Sequence, residues 1–269
     1  MVAEFLLAVG EGLYFSFFKS RDYDWKLFFT SVGHILGKRL LILLPVFFLG
    51  EAVFSWIYSK RLLTLALDSP LNYLLLFLLL EFFFYWQHRI RHRVRVFWAT
   101  HSVHHASQRL NFATGSITGW IDLLPELAHK AFFLPLFFVG FSPEVIWAGW
   151  LTNVFFQLWY HNEWIPRLGW LEYILNTPAH HRLHHAKNPG YESGNFGALL
   201  IIFDRLFGTL LKEKEGVTLE YGIPGRPHSY NPVAISLYEW REMGRDLIRA
   251  RSPREVFGVF FAAPAVGKS

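Results

Sequence analysis

Four apolar runs, each approaching the roughly 20 residues that a helix needs to cross a hydrocarbon core, constrain this chain more than any other feature. They run from about Lys38 to Tyr58, with Glu51 inside, and from about Leu71 to Trp86, with Glu81 inside. The third spans about Ile121 to Gly140 and the fourth about Pro143 to Tyr160. An earlier run, Phe5 to Phe18, is interrupted by Gly10, Glu11 and Gly12 and reads as an interfacial or partly inserted helix. Only 17% of the residues are charged, against about 25% in soluble domains, so a membrane class fits better than a soluble one. No cleavable leader is expected, because Glu4 precedes the first apolar run and no small-residue cleavage pattern follows it.

Local signals divide the runs. Ser69-Pro70 and Ser142-Pro143 each offer an N-cap followed by proline at the first helical position. The connection from Gly140 to Pro143 is so short that runs three and four form a tight helical hairpin. Runs one and two form another. The chain therefore returns to one face near His88 and again near His161, and segments 87–120 and 161–269 share a side. That side carries Lys19, Arg21, Lys26, Arg89, Arg91, Arg93, Arg95, Arg109, Arg167 and Arg182, while the opposite side has little beyond Lys60 and Arg61. The excess of basic residues makes the crowded side cytoplasmic. The net charge of +5 is thereby read as membrane orientation, and no nucleic-acid partner is expected. After residue 186 the sequence becomes mixed. Leu237, Trp240, Met243 and Leu247 recur at helical spacing among charges, which predicts an amphipathic helix over 232–250, able to lie in the interface.

The chain has no cysteine, which excludes thiolate metal sites, a thiol nucleophile and disulfides. It has thirteen histidines, and ten fall in two windows: His88, His92, His101, His104 and His105, then His161, His180, His181, His184 and His185. The hairpin topology puts both windows at the same face. His88 and His92 are one helical turn apart, and His-x-x-His-His occurs twice, at 101–105 and 181–185. In a helix each such box would present its histidines on one face. A single i,i+4 pair is commonly incidental, but two boxes and a pair meeting at one face point to metal. Ten imidazoles exceed one tetrahedral site and invite two ions. Iron is the redox-capable choice, since zinc has no redox chemistry. His34, His129 and His228 lie outside the pattern and read as ordinary polar or interfacial residues, with His129 near the third run as a reserve ligand.

Glu81, seven residues before His88, lies on the same helix face two turns deeper. An ionisable group in a span is a functional candidate, and two roles are open. It could accept a hydrogen bond from a ligand histidine, the reading favoured here, or tie helices together. Glu163, beside His161, could be a similar acceptor or a solvated loop carboxylate. The aromatic stripes Phe82 to Trp86 and Phe155, Phe156, Trp159 and Tyr160 read as lipid-facing or interfacial.

The sequence from Glu81 through Gln87-His88-Arg-Ile-Arg-His92 to His101-Ser-Val-His104-His105 resembles the fatty acid hydroxylase and sterol desaturase superfamily of membrane diiron enzymes. The likeness resumes at His161-Asn-Glu-Trp and Asn176-Thr-Pro-Ala-His180-His181-Arg-Leu-His184-His185. It ends with Asn195-Phe-Gly197 and Phe203-Asp-Arg-Leu-Phe-Gly-Thr209. Within the superfamily it is nearest the branch that contains alkylglycerol monooxygenase and bacterial sterol-desaturase-like proteins. The resemblance implies an all-α integral membrane protein, with about four transmembrane helices beneath a cytoplasmic helical cap that holds a His-rich dimetal site. It carries the ligand role onto nine of the ten histidines, with His180 next to the last box as a tenth candidate. It implies one membrane-embedded oxygenase domain over 1–269, with a catalytic core at about 70–211 and an amphipathic C-terminal region at about 212–269.

The implied activity is hydroxylation, or desaturation, of a C–H bond in a lipid such as a sterol, fatty acyl chain or ether lipid. It requires two iron ions, dioxygen as co-substrate and an external electron donor: a tetrahydropterin, cytochrome b5 or a ferredoxin-type protein. The chain has no haem or flavin motif of its own. Two other classes compete: a membrane metal-binding or transport protein without oxygenase activity, and a catalytically dead lipid-binding scaffold. Placement of all ten histidines at one face argues against a transport path, and the full set of boxes argues against a dead scaffold.

Overall fold

Ser69 and Pro70 start the helix that organises the molecule. A computed structural model of the chain describes residues 2–19, 22–42, 46–120, 130–191 and 193–264, the side chains of 2–4 and 41–51 excepted. The Ser69 hydroxyl accepts the Asn72 backbone N–H at 3.3 Å, and proline follows at the first position. The elements in order are α1 (Val2–Phe18), α2 (Trp25–Ile42), α3 (Val46–Ser59), α4 (Pro70–Arg91), α5 (Arg95–His101), α6 (Leu134–Val139), α7 (Pro143–Phe156), α8 (Pro178–His185), α9 (Ile202–Leu206), α10 (Pro232–Arg249) and α11 (Pro253–Phe261). Single 3-10 turns lie at His104–Ala106, Phe112–Ser116, Leu158–Tyr160 and Gly169–Tyr173. Among the described residues the β pairing amounts to two isolated bridges, Leu175 with Leu200 and Ala186 with Tyr221, so the chain is helical as expected.

α3, α4, α6 and α7 form an apolar bundle around Phe54, Ile57, Leu76, Leu80, Leu136, Phe137, Phe141 and Ile146. α4 and α7 approach closely because Gly149 has no side chain: a Cβ there would strike the Leu80 side chain. At the end of the bundle, the Leu62 N–H donates to the Phe138 carbonyl at 2.8 Å and the Leu65 N–H to the Gly140 carbonyl at 3.0 Å. Gly140 adopts φ +125 and lies against the Leu63 carbonyl, so a side chain is excluded on two counts. The hairpin joining α6 to α7 is thus as short as the sequence implies.

Among the described residues, α4 alone is long and apolar enough to cross a membrane. α7 has 14 residues, shorter than the run that predicts it, because the helix ends at Gln157 and a 3-10 turn follows. The Gln157 amide donates to the Asn153 side-chain oxygen at 2.6 Å, and the bend swings Tyr160 and His161 inward. Residues 43–45 and 121–129 lie in the first and third runs, so those two runs are described only in part, and the Glu51 side chain and His129 fall outside the described residues.

The remaining helices cover the histidine-bearing end of α4. α1 and α2 pack on the Phe112–Ser116 turn through Ala8, Phe28, Phe112 and Ala113. α10 is the amphipathic helix expected at 232–250, capped by the Asn231 side chain. Its apolar face is used differently from the interfacial reading. Met243, Trp240 and Leu247 pack on Ala99 of α5 and Val259 of α11. Arg95 of α5 reaches Glu239 at 2.9 Å and Asp246 at 2.6 Å on α10, which ties the C-terminal helices to the segment between the first two histidine boxes.

Candidate metal centre

α4 continues past its apolar run and carries His88 on its last full turn, with His92 as its C-cap. The chain turns at Arg93 and Val94 and enters α5, whose last residue is His101. A 3-10 turn then holds His104 and His105. The first His-x-x-His-His box is therefore not one continuous helix. The second lies within α8, where Pro178 starts a helix of eight residues and His181 and His185 stand one turn apart.

These elements bring nine histidines into two groups. His88, His92, His101, His105 and His184 form one, and His104, His161, His181 and His185 the other. Within each group one ring nitrogen of every residue lies within 4.8 Å of all the others. Each box is shared: it sends its first and last histidines to one group and its middle one to the neighbouring group. The groups touch where His105 stacks on His185, with ring centroids 4.2 Å apart. Eight of the nine are buried, and His104 is partly buried.

The Nε2 atoms converge. His88 and His101 approach to 3.0 Å, and His101 and His105 to 3.3 Å. In the other group His104 and His161 lie 3.1 Å apart, His161 and His181 2.8 Å, and His181 and His185 3.0 Å. Burial first, then the neighbouring imidazoles, holds His92, His101, His105, His161, His181 and His185 well below the usual histidine range. The same causes bring His104 down to about 3, and burial brings His184 to about 4. Neutral imidazole is the ligating form. The Nδ1 of His88 faces the Phe196 carbonyl at 3.0 Å and that of His184 the Gly194 carbonyl at 2.9 Å. Each Nδ1 is thus the donor and each Nε2 a free lone pair aimed at its group. The Nε2 atoms of His92 and His184 are buried without a hydrogen-bond partner. Such orphans are costly unless something accepts their lone pairs, and a cation at the centre of each group does so. Nitrogen donors alone, without thiolate, suit iron, zinc, copper or nickel. A void of about 20 Å³ borders the centre between His92, His105, His184, His185 and the turn at Gly222–Pro224.

His180 joins neither group. It precedes His181 on α8 and so points to another side of the helix, where burial lowers it to about 4 beside Glu172. Glu81 touches no histidine ring. Its carboxylate accepts the backbone N–H groups of Leu200 at 2.7 Å and Leu199 at 3.0 Å, together with the Asn153 side-chain amide of α7. Its hydrogen bonds are those of the inter-element tie. Glu163 accepts the Leu110 N–H at 2.9 Å and stands 3.9 Å from Arg109. His34 is buried against the Thr118 carbonyl, and His228 meets the Tyr230 ring edge to face.

The aromatic stripes divide. Phe155 and Phe156 are exposed, but Tyr85 and Tyr160 are fully buried, which corrects their lipid-facing reading. Tyr85 hydrogen-bonds the Thr209 hydroxyl at 2.9 Å, and Tyr160 donates to the Ala198 carbonyl at 3.1 Å. Sequence reasoning gave no role to Asp204, Asn195, Thr209 or Asn153. The available signal was a lone aspartate in the apolar stretch 198–207.

Residues 73–209 match the fatty acid hydroxylase family model. The chain is similar to alkylglycerol monooxygenase of Xenopus tropicalis, 38% identical over 195 residues that cover 71% of this chain and 42% of the relative. It is 34% identical to alkylglycerol monooxygenase of Homo sapiens over 248 residues, 88% of this chain and 52% of the relative. It is 30% identical to ornithine lipid hydroxylase OlsE of Rhizobium tropici over 177 residues, 65% of this chain and 52% of the relative. The chain spans about half the length of these curated relatives. No solved structure matches it.

Proposed function

The chain belongs to the fatty acid hydroxylase family, and from that premise we propose that it is a membrane-embedded diiron oxygenase acting on a C–H bond of a lipid. The observation that carries the reading is the sorting of nine histidines into a group of five and a group of four, each with converging ring nitrogens. Residues His88, His92, His101, His105 and His184 would hold one ion, and His104, His161, His181 and His185 the other. Bound iron supplies the redox chemistry by which dioxygen is reduced and the C–H bond oxidised. Hydroxylation places one oxygen atom of dioxygen in that bond and reduces the other to water, using two electrons from an external donor and two protons from the medium. A tetrahydropterin, cytochrome b5 or a ferredoxin-type protein fits that role. Removal of two hydrogens instead gives desaturation.

The chain's own residues prepare the site for this chemistry. The Phe196 and Gly194 carbonyls orient two of the rings. Tyr85, Tyr160 and Phe196 seal the centre from the bundle side, with no measurable exposure to solvent, which keeps bulk water from a strongly oxidising site. The void between His92 and the Gly222–Pro224 turn has room for a molecule the size of water or dioxygen.

The lipid and membrane parts of the proposal have their own support. α4 is long enough to span. Leu71, Leu74, Leu151, Phe155, Trp56 and Phe17 leave an exposed apolar surface around the bundle and α1. An apolar cavity of about 510 Å³ between α1, Phe112 and Trp164 suits a hydrocarbon chain. Arg89, Arg91 and Arg93 at the histidine end favour a cytoplasmic centre. The packing of α10 and α11 on α5 favours a single unit over 1–269.

A transport protein needs ligands strung along a path, and the nine histidines here gather at one end of α4. The deciding experiment is lipid mass spectrometry of a host with and without the protein, together with iron analysis of the purified chain. A lipid that gains one oxygen or loses two hydrogens, and about two iron ions per chain, are expected. An iron-free chain with no lipid change would sink the reading.

A further inference from the structure

Asp204 is fully buried in α9 and touches no histidine. Its carboxylate accepts the Phe196 N–H at 2.8 Å, the Gly197 N–H at 2.7 Å and the Thr209 hydroxyl at 2.7 Å. Its main-chain carbonyl accepts the Thr209 N–H at 2.8 Å. The segment so gripped is 194–197, whose backbone has little freedom to move. Asn195 stands at φ +55, and its side chain accepts the Leu211 N–H and donates to the His180 carbonyl. A Cβ at Gly197 would collide with the Leu200 carbonyl, and one at Gly194 with the Thr209 carbonyl.

Two carbonyls of this segment face the centre. Phe196 accepts from His88 and Gly194 from His184, and both rings belong to the five-histidine group. The Phe196 carbonyl and the Gly197 N–H are the two ends of one peptide unit. That unit receives a proton donor from His88 at one end and donates to Asp204 at the other, so the carboxylate polarises the carbonyl that orients the ring. The second link is longer: the Asn195 N–H, in the same peptide unit as the Gly194 carbonyl, donates to the Thr209 carbonyl at 3.0 Å.

We propose that Asp204 is a positioning residue for the five-histidine group, fixing the tautomer and aim of His88 and His184 through the 194–197 backbone. The inference rests on the reading of the two histidine groups as metal sites. It makes the two ions unequal in their dependence on one distant carboxylate.

The test uses the full chain in detergent, loaded with zinc as a redox-silent probe, with metal counted per chain during a chelator titration. The wild type is expected to hold two ions. In Asp204→Asn, one ion is expected to leave at about 10–100-fold lower chelator concentration, with the other unchanged. In a His161→Ala background, which weakens the four-histidine group, the same change is expected to leave no tightly held zinc. In a His88→Ala background it is expected to add little. Equal weakening of both ions, or of neither, overturns the positioning role. Should Asp204→Asn not fold, Thr209→Val keeps the carboxylate and removes only a hydroxyl. A smaller shift confined to one ion then supports the proposal, and a shift shared by both overturns it. A wild type that binds no zinc overturns the metal reading and this one with it, whereas two ions without a selective shift defeat this one alone.

Discussion

At the residue scale, the centre depends on which nitrogen of each ring carries the proton. Imidazoles buried together stay neutral, because charging one in a low-dielectric cluster costs more than a neighbouring ring can return. His184→Ala is expected to remove about one iron per chain and to abolish lipid hydroxylation, and His104→Ala to do the same from the other group. Iron analysis and product mass spectrometry check both, and unchanged iron in either variant would contradict the ligand sets. Glu81 provides a contrast. Replacement by leucine leaves the Leu199 and Leu200 N–H groups and the Asn153 amide without their acceptor. A destabilisation on the order of 3 kcal/mol is expected, seen as a lower melting temperature. Chains that remain folded should keep both metal ions. Loss of iron at unchanged stability would return Glu81 to the site.

At the element scale, α1 is docked by one buried carboxyl. Glu11 accepts the Phe112 N–H and the Trp164 indole N–H, both at 2.8 Å, which links α1 to the Phe112–Ser116 turn and to the segment after His161. Burial pushes its pKa up to about 7, and the nearby Glu163 adds to the rise. A carboxyl raised in the fold contributes its stability in full below its ordinary pKa of 4.5 and loses it as pH climbs through about 7. Glu11→Gln cannot ionise. Relative to the variant, the wild type should therefore lose stability between about pH 5 and pH 8, by at most about 3 kcal/mol. Parallel melting curves across that range would refute the assignment. The break between α5 and the His104–Ala106 turn acts at the same scale. It rotates His104 away from His101 and His105 and so divides one box between two groups.

At the scale of the whole molecule, an apolar bundle and a polar histidine centre meet along α4. The chain has no cysteine, so single cysteines can report sidedness without background. Lys60→Cys and Arg254→Cys, at opposite ends by the hairpin topology, are expected to react with an impermeant thiol reagent from opposite sides of oriented vesicles. Labelling of both from one side would refute the proposed orientation. Bound metal would also link the segments, since residues 88–105, 161 and 181–185 each supply histidines to the two groups. Chelation is expected to lower the melting temperature by mass action, and added iron to restore it. No thermal shift on chelation of an iron-loaded chain would show that the centre does not brace the fold.

The sequence by itself determined the helical class, the Ser69 cap of α4, the proline starts of α4 and α7, the tight hairpin at Gly140 and the meeting of both histidine windows. Each of these rests on local spacing or on a short connection, and local geometry is set by residues near in the chain. The tertiary structure alone decided how nine histidines sort into five and four, why His180 stands apart, and where Glu81, Tyr85 and Tyr160 point. It also decided that the face of α10 packs on α5. These outcomes depend on where a helix stops and on partners more than a hundred residues away, as with Glu81 and Leu200 or His88 and Phe196. The role of Asp204 is of the same kind. An aspartate in an apolar stretch announces that something polar lies opposite, but only the folded backbone reveals that it is the peptide unit aiming His88.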